Sequence, residues 1–273
     1  MVTLQGKNIY ITGGSSGIGL ATAKLAYGRG ASLVIIARDK DRLHQAARDI
    51  ETCKVNNTQR VATVSLDVSE FKKVSEVLRS VAEDYGAPDC LIANAGILYG
   101  DYFENISFET FDRTMKTNVY GVRNVIEVLL PKMKTRNGRI VIVSSIAGFT
   151  GMLGYTAYST SKFALIGFAE SLYYDLKRFG MKVFLVCPPE VETSMIIKEA
   201  ETLPPEARAV KNLAGRISAE SAANAVIRAL TGNRFLVIPG LKAKLIYYLT
   251  CHMPGFILRG VTSAIISASR KKG

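Results

Sequence analysis

Apolar residues along the chain fall into two alternating patterns. Short, strongly apolar runs predict buried β-strands, and longer segments with apolar residues three or four positions apart predict amphipathic helices. The strand-like runs are 7–12, 32–37, 61–66, 90–93, 139–144, 182–187 and 235–238. The helical patterns are 17–27, 40–52, 71–85, 108–130, 157–179 and 219–230. This alternation predicts an α/β fold, a doubly wound parallel sheet of about seven strands with helices on both faces.

Two segments interrupt the alternation. Residues 148–156 are rich in glycine and apolar side chains, and residues 188–215 follow the sixth strand and include Pro204-Pro205. In an open α/β sheet, ligands bind beyond the carboxyl ends of the strands. We therefore expect both segments to border a ligand site.

A glycine-rich turn joins the first strand to the first helix. Its sequence is Gly13-Gly14-Ser15-Ser16-Gly17-Ile18-Gly19. Glycines let the backbone approach phosphate oxygens, and a helix N-terminus supplies free N–H groups, so the turn predicts a Rossmann-type dinucleotide site. The turn also contains a Gly-x-Ser-x-Gly hydrolase pattern, which needs a histidine partner. The chain has only His44, in a charged helix, and His252, near the C-terminus, so the hydrolase interpretation is disfavoured.

The end of the second strand indicates which dinucleotide is bound. An acidic residue there would hydrogen-bond the ribose hydroxyls of NAD, whereas this chain has Ala37-Arg38. A guanidinium at Arg38, with Arg42 one helical turn later, favours the 2′-phosphate of NADPH or NADP. The alternative is that both arginines are solvated charges at the start of a helix, and the adjacent Asp39 leaves that alternative open.

A tyrosine and a lysine form the candidate catalytic pair. Tyr158 and Lys162 are four residues apart, which places them on one face of a helix, and Ser145 lies thirteen residues upstream of the tyrosine. An ammonium beside a phenol favours the phenolate, so we expect Lys162 to lower the pKa of Tyr158 and make it a proton donor near neutral pH.

Together these motifs resemble the short-chain dehydrogenase/reductase family over nearly the whole chain. The resemblance adds Asp67 and Val68 as the adenine contact, and Asn94-Ala95-Gly96 as the turn after the fourth strand. It also implies a catalytic set of Asn118, Ser145, Tyr158 and Lys162, with Ser144 as a competing position for the serine. The implied reaction is reduction of a ketone, in which Tyr158 donates the proton.

One segment departs from the family pattern and bears on the substrate. The family usually has Pro-Gly after the sixth strand, whereas this chain reads Pro188-Pro189-Glu190-Val191-Glu192-Thr193. The resemblance implies that Val191 and Thr193 meet the nicotinamide carboxamide and that Pro188 is a further cofactor contact. The segment is similar to that of the 3-ketodihydrosphingosine reductases, which implies a long-chain lipid ketone as substrate. A 3-oxoacyl, steroid or xenobiotic ketone is the alternative, and a non-catalytic nucleotide-sensing or scaffold protein is a third.

Charge and composition refine the expected organisation. The net charge is +12, and eight Lys and Arg residues but no acidic residue follow Glu220. We expect one NADP-binding catalytic domain at 1–240 and a basic, apolar segment at 241–273 that lies on a membrane surface or at a protein interface. Four cysteines without metal-like spacing and the absence of a leader-like start predict a cytoplasmic protein with reduced thiols and no metal.

Partners follow from the same features. We expect a homo-oligomer, dimer or tetramer, with peripheral membrane contact at the cytosolic face of the endoplasmic reticulum in a eukaryote. No nucleic-acid partner is expected, because aromatic stacking platforms are not evident and the chain has no tryptophan.

Overall fold

A computed structural model describes residues 2–193, 202–211 and 215–270. The strands are β1 (Asn8–Thr12), β2 (Ser32–Ala37), β3 (Val61–Ser65), β4 (Cys90–Ala93), β5 (Arg139–Val143), β6 (Lys182–Val186), β7 (Glu190–Val191), β8 (Arg216–Ile217) and β9 (Leu236–Val237). The α-helices are α1 (Gly17–Tyr27), α2 (Lys40–Glu51), α3 (Phe71–Asp84), α4 (Phe108–Met115), α5 (Gly121–Lys134), α6 (Thr156–Lys177), α7 (Pro205–Lys211), α8 (Ala219–Thr231), α9 (Leu241–His252) and α10 (Gly255–Arg270).

Seven strands form one parallel sheet in the order β3-β2-β1-β4-β5-β6-β9, which confirms the predicted fold class. The chain begins at an inner strand, β1, builds outward to β3, and then crosses back to place β4 beside β1. The order of strands therefore reverses between β1 and β4. A crevice opens at the carboxyl ends of these two strands, and this is where ligands bind in doubly wound sheets.

Alternation along each strand explains why both faces of the sheet are covered. Tyr10 packs on one face together with α3, α5 and α6, whereas Ile9 and Ile11 pack on the other with α1, α2 and α8. The side chains of all three residues are fully buried. Successive side chains of a strand point to opposite faces, so strands that are apolar throughout require helices on both sides.

Two details of the fold were not predicted. The single helix expected over 108–130 is two α-helices joined by a π-helical turn at Lys116–Tyr120. The segment after β6 adds a small two-stranded sheet in which Glu190 pairs with Arg216 and Val191 with Ile217. Part of the predicted 188–215 loop lies outside the described residues, as do Lys271 and Lys272 of the basic tail.

The segment after residue 240 folds as the helices α9 and α10. Ala243 on α9 is fully buried, and Tyr247 packs edge-on against Phe149 with their ring centroids 4.7 Å apart. Helix α10 lies against α7. Within the part of the chain described here, no helix has the length and apolar character needed to cross a membrane. The division at residue 240 stays a prediction.

Candidate active site

The glycine-rich turn has the geometry of a phosphate-binding loop. Gly13 has a φ of +68°, a conformation that side chains disfavour. A Cβ atom on Gly19 would lie 2.1 Å from the carbonyl oxygen of Gly13, so only glycine allows this turn to close against α1. Ser16 is extended at the start of α1 and makes no side-chain cap, which leaves the first-turn N–H groups available to an anion. The turn therefore fits a dinucleotide pyrophosphate.

The turn after β4 is bound directly to this loop through Thr12. The Thr12 hydroxyl accepts hydrogen bonds from the backbone N–H groups of Asn94 and Ala95, each at 3.0 Å. The Asn94 amide donates back to the Thr12 carbonyl at 3.1 Å. These bonds fix Asn94-Ala95-Gly96 along the floor of the crevice. Thr12 was not predicted as a site residue, although its place at the end of β1 is the signal that would have identified it.

The ends of β2 and β3 form the other part of the crevice. Nη1 of Arg38 lies 3.7 Å from Oδ2 of Asp67, and Asp39 caps α2 by accepting a hydrogen bond from the N–H of Arg42 at 3.0 Å. The side chains of Arg38 and Arg42 are 58% and 57% exposed, so both remain accessible to an anionic ligand. Burial disfavours ionisation of Asp67, but hydrogen bonds from Ser69 and the charge of Arg38 hold its pKa below the ordinary value.

Tyr158 and Lys162 lie in the first turns of α6, with Lys162 nearly buried and Tyr158 partly open to a cavity. The Lys162 ammonium donates a hydrogen bond to the carbonyl of Val143 at 3.1 Å and lies 5.5 Å from the centroid of the Tyr158 ring. The same cavity is lined by Ser145, Gly96 and the glycine-rich turn. The end of β5, the start of α6 and the nucleotide loop therefore meet at one place.

The two adjacent serines have different surroundings. Ser144 donates a hydrogen bond to the carbonyl of Lys162 at 3.0 Å, so it fastens β5 to α6. Ser145 caps the 3-10 turn Ile146–Gly148 and donates to the carbonyl of Pro188 at 3.4 Å. A hydrogen bond with Ser145 also lowers the pKa of Tyr158. Ser145 is therefore the serine that accompanies the tyrosine.

The prediction that Lys162 lowers the pKa of Tyr158 is wrong for the protein without cofactor. Burial raises the pKa of Tyr158 to about 12, and the hydrogen bond with Ser145 only partly opposes this. Burial lowers the pKa of Lys162 to about 8. The reason is that both groups lose solvation, which penalises the phenolate and the ammonium alike.

The π-helical turn positions Asn118 behind this pair. The fully buried Asn118 amide donates to the carbonyl of Ile97 and to the Ser161 hydroxyl, each at 2.9 Å, and its oxygen accepts from the N–H of Ile97 at 2.7 Å. A Cβ on Gly96 would lie 3.3 Å from Oδ1 of Asn118 and 3.8 Å from Nζ of Lys162. Asn118 and Lys162 therefore both approach the backbone at Gly96. Extra residues of this kind in a helix are frequent at functional sites.

Comparison with known proteins identifies the family. The sequence pattern of the short chain dehydrogenases matches residues 7–204. The chain belongs to the short-chain dehydrogenase family.

The relatives of this short-chain dehydrogenase include reductases of different ketones. The 3-ketodihydrosphingosine reductase of Bos taurus is 36% identical over 92% of this chain and 76% of its own length, and that of Mus musculus is 35% identical over the same shares. The 3-oxoacyl-[acyl-carrier-protein] reductase FabG of Thermotoga maritima is 34% identical over 75% of this chain and 80% of its own. Among solved structures, a short chain dehydrogenase/reductase of Burkholderia phymatum in complex with NAD has 25% identity and a TM-score of 0.79, covering 92% of this chain and 94% of that one.

Most of the predicted residues of this short-chain dehydrogenase line one of two adjoining cavities. The cavity beside Tyr158 includes Gly13, Ser16, Gly17, Ile18, Asn94, Ala95, Gly96, Ser145, Lys162, Pro188, Val191 and Thr193. The second includes Ser15, Arg38, Arg42, Asp67 and Val68. Gly19 and Asn118 line neither cavity, because the first supports the loop from behind and the second supports the turn at Gly96.

Both segments that were expected to border a ligand site contribute to the Tyr158 cavity: Met152 and Tyr155 come from 148–156, and Glu190 and Lys211 come from 188–215. Leu98, Met152 and Tyr155 form an apolar part of the cavity wall, and they belong to an apolar cluster that also contains Leu153, Leu203 and Ala207. The Tyr102 hydroxyl donates a hydrogen bond to Glu206 on α7 at 2.8 Å, which ties α7 to the opposite rim. Among the described residues, no cluster of side chains could hold a metal ion.

Proposed function

We propose that the protein is an NADPH-dependent reductase of a long-chain lipid ketone, with 3-ketodihydrosphingosine as the leading substrate. The observation that carries the proposal is the convergence of Ser145, Tyr158 and Lys162 on one apolar-walled cavity next to the nucleotide loop. The names of the Bos taurus and Mus musculus relatives support the choice of ketone.

Each catalytic residue has a role that follows from its surroundings. With pKa of about 12, Tyr158 is protonated at neutral pH and therefore competent to donate its proton to a developing alkoxide. Ser145 supplies a second hydrogen bond to the same oxygen as its charge grows. With a pKa of about 8, Lys162 exchanges a proton readily near neutral pH, so it can return one to the tyrosine. Asn118 would anchor the route by which protons reach Lys162. NADPH would supply the hydride.

The arginines at the second cavity determine the choice of NADPH. The exposed guanidiniums of Arg38 and Arg42 offer charge-assisted hydrogen bonds to a 2′-phosphate. Asp67 already occupies one side of Arg38, which leaves the rest of that guanidinium for the ligand.

Two other functions compete with this proposal. The Thermotoga maritima relative favours a 3-oxoacyl substrate, since its identity is close to that of the leading group. A nucleotide-sensing or scaffold protein without activity is the alternative from another class. The joint presence of Asn118, Ser145, Tyr158 and Lys162 argues against it, because a protein without chemistry needs no such set.

The decisive experiment measures oxidation of NADPH with a panel of ketones that includes 3-ketodihydrosphingosine, a 3-oxoacyl thioester and a steroid ketone. We expect the sphingoid ketone to have the highest kcat/KM, and Tyr158→Phe to lower kcat by at least about a hundredfold while NADPH binding survives. Near-full activity of that variant refutes the mechanism. A higher kcat/KM for the thioester refutes the substrate assignment alone.

Peripheral membrane contact in the cytoplasm, through α9 and α10, belongs to the same proposal. Large apolar side chains on these helices are exposed, including Leu245, Tyr248, Phe256 and Val261, and Lys244 and Arg259 lie among them. A basic, apolar surface binds anionic lipid. In vesicle flotation we expect Phe256→Asp/Val261→Asp to lose binding that the matched control Phe108→Asp keeps. Equal flotation of the double variant and the Phe108→Asp control refutes this membrane contact.

The proposed homo-oligomer is a dimer or tetramer. Light scattering measures its mass, and the mass of a single chain would refute it.

A further inference from the structure

A buried carboxylate lies on the wall of the catalytic cavity and has no part in the reaction described above. Glu190, in β7, has a side chain that is only 5% exposed. Among the described residues that line this cavity, it is the one acidic side chain. Polar groups that line an otherwise apolar pocket usually fix the orientation of its ligand.

Two cationic side chains hold the Glu190 carboxylate in place. Nζ of Lys211, at the end of α7, lies 3.2 Å from Oε2, and Arg216 of β8 contacts Oε1. The contact with Arg216 is an ion pair rather than an aligned hydrogen bond, because Oε1 has no hydrogen-bond partner of acceptable geometry. Buried carboxylate oxygens normally accept hydrogen bonds, so Oε1 retains the capacity to accept one from a ligand.

The position of Glu190 along the chain places it near the reacting carbonyl. Ser145, which would hold the ketone oxygen, donates a hydrogen bond to the carbonyl of Pro188 at 3.4 Å. Glu190 follows two residues later, so its Cα lies within about 7 Å of the Cα of Pro188, and Glu190 lines the same cavity as Ser145. Leu98, Met152 and Tyr155 form an apolar part of the same wall, which suits an alkyl chain.

We infer that Glu190 determines specificity by accepting a hydrogen bond from an ammonium group on the carbon next to the ketone, an inference that rests on the proposed function. A 2-amino-3-ketone with a long alkyl chain carries such a group, and a 3-oxoacyl thioester does not. An ammonium that enters the cavity loses its hydration, so it requires a hydrogen-bond acceptor there. Oε1 of Glu190 supplies that acceptor, while Lys211 and Arg216 balance the charge of the carboxylate.

The test compares two long-chain ketones that differ only in the amine at the 2-position, each with saturating NADPH. For Glu190→Gln we expect kcat/KM with the amino ketone to fall at least tenfold, mainly through KM, and kcat/KM with the ketone lacking the amine to change less than twofold. Glu192→Gln is the matched control, since Glu192 is exposed in the same segment and lines neither cavity. This control should change kcat/KM with either ketone by less than twofold.

A structural role for Glu190 predicts a different result. Equal losses with both ketones in Glu190→Gln, or no loss with either, overturn the inference. If that variant does not fold, as judged by circular dichroism, the test is made with Glu190→Asp. The ratio of kcat/KM for the amino ketone to kcat/KM for the ketone lacking the amine then decides between the two roles. Titration calorimetry with the amino alcohol product and its analogue lacking the amine should show the same loss without turnover.

The wild-type protein separates the two proposals. If it reduces neither ketone, the proposed function fails and the inference fails with it. If it reduces the ketone without the amine at least as well as the amino ketone, long-chain ketone reduction stands and recognition of the amine by Glu190 is refuted.

Discussion

The buried ammonium of Lys162 should reduce the stability of the fold, so Lys162→Met is expected to stabilise the protein while abolishing activity. Lys162 is 5% exposed, and burial lowers its pKa from 10.5 to about 8. Methionine has a similar length and no charge, so it fills the same space without the cost of desolvation.

The magnitude follows from linkage between the proton and folding. A shift of about 2.5 pKa units corresponds to about 3 kcal/mol of destabilisation at pH 7. The variant also loses the hydrogen bond to the Val143 carbonyl, which costs about 1 kcal/mol. The expected net gain in the free energy of unfolding is therefore about 2 kcal/mol at pH 7.

The pH dependence gives the prediction its sign. Below pH 8, Lys162 is charged in both the folded and the unfolded state, and the penalty is fully present. Between about 8 and 10.5 the unfolded chain binds the extra proton, so wild-type stability rises with pH relative to the variant. Above 10.5 the penalty has gone, and the variant should have no advantage.

Urea unfolding of the protein without cofactor tests this prediction, followed by far-ultraviolet circular dichroism because the chain has no tryptophan. The comparison is made at pH 7 and at pH 10, and the difference between the two proteins is the quantity of interest. Lower stability of Lys162→Met at pH 7, or a difference that does not shrink at high pH, would refute the argument that the ammonium is buried at a cost.

Three further predictions concern the nucleotide loop, the cofactor and the two serines. Arg38→Ala should lower kcat/KM with NADPH about 10- to 100-fold, because charge-assisted hydrogen bonds are lost, and leave kcat/KM with NADH unchanged; equal effects on both cofactors would contradict a 2′-phosphate contact. Gly19→Ala should abolish NADPH binding measured by fluorescence, since its Cβ would meet the Gly13 carbonyl, whereas the control Gly167→Ala, with open space around it, should bind normally. Ser145→Ala should lower kcat at least about tenfold, and Ser144→Ala should mainly lower the melting temperature; the reverse pattern would exchange their assignments.

The strand and helix pattern was predictable because this sheet is buried on both faces. Strands such as β2 are apolar throughout and bounded by polar turns, so their limits at Ser32 and Ala37 follow from the sequence alone. The glycine-rich turn was predictable for a similar reason, since its chemistry is local. Residues whose role depends only on their neighbours in sequence are the ones that a pattern identifies.

The π-helical turn at Asn118 and the ionic partners of Glu190 were not predictable. Asn118 lies within a continuous helical pattern, and its bonds to Ile97 and Ser161 join residues 21 and 43 positions away. Glu190 is paired with Lys211 and Arg216 across a segment that has no strong periodicity. Contacts of this kind depend on the tertiary fold, which no short-range signal in the sequence reports.

The charged groups buried at the cavity have a common explanation. Lys162 and Glu190 both violate the preference of charges for water, and a core built for stability alone would replace them with apolar residues. Violations of this kind are expected where function requires them. If Lys162 lies at the nicotinamide ribose, bound NADPH restores hydrogen bonds to its ammonium, so the cofactor should raise the melting temperature more for the wild-type protein than for Lys162→Met. If NADPH raises the melting temperature of both proteins equally, the burial of this lysine is unrelated to cofactor binding, and the argument is refuted.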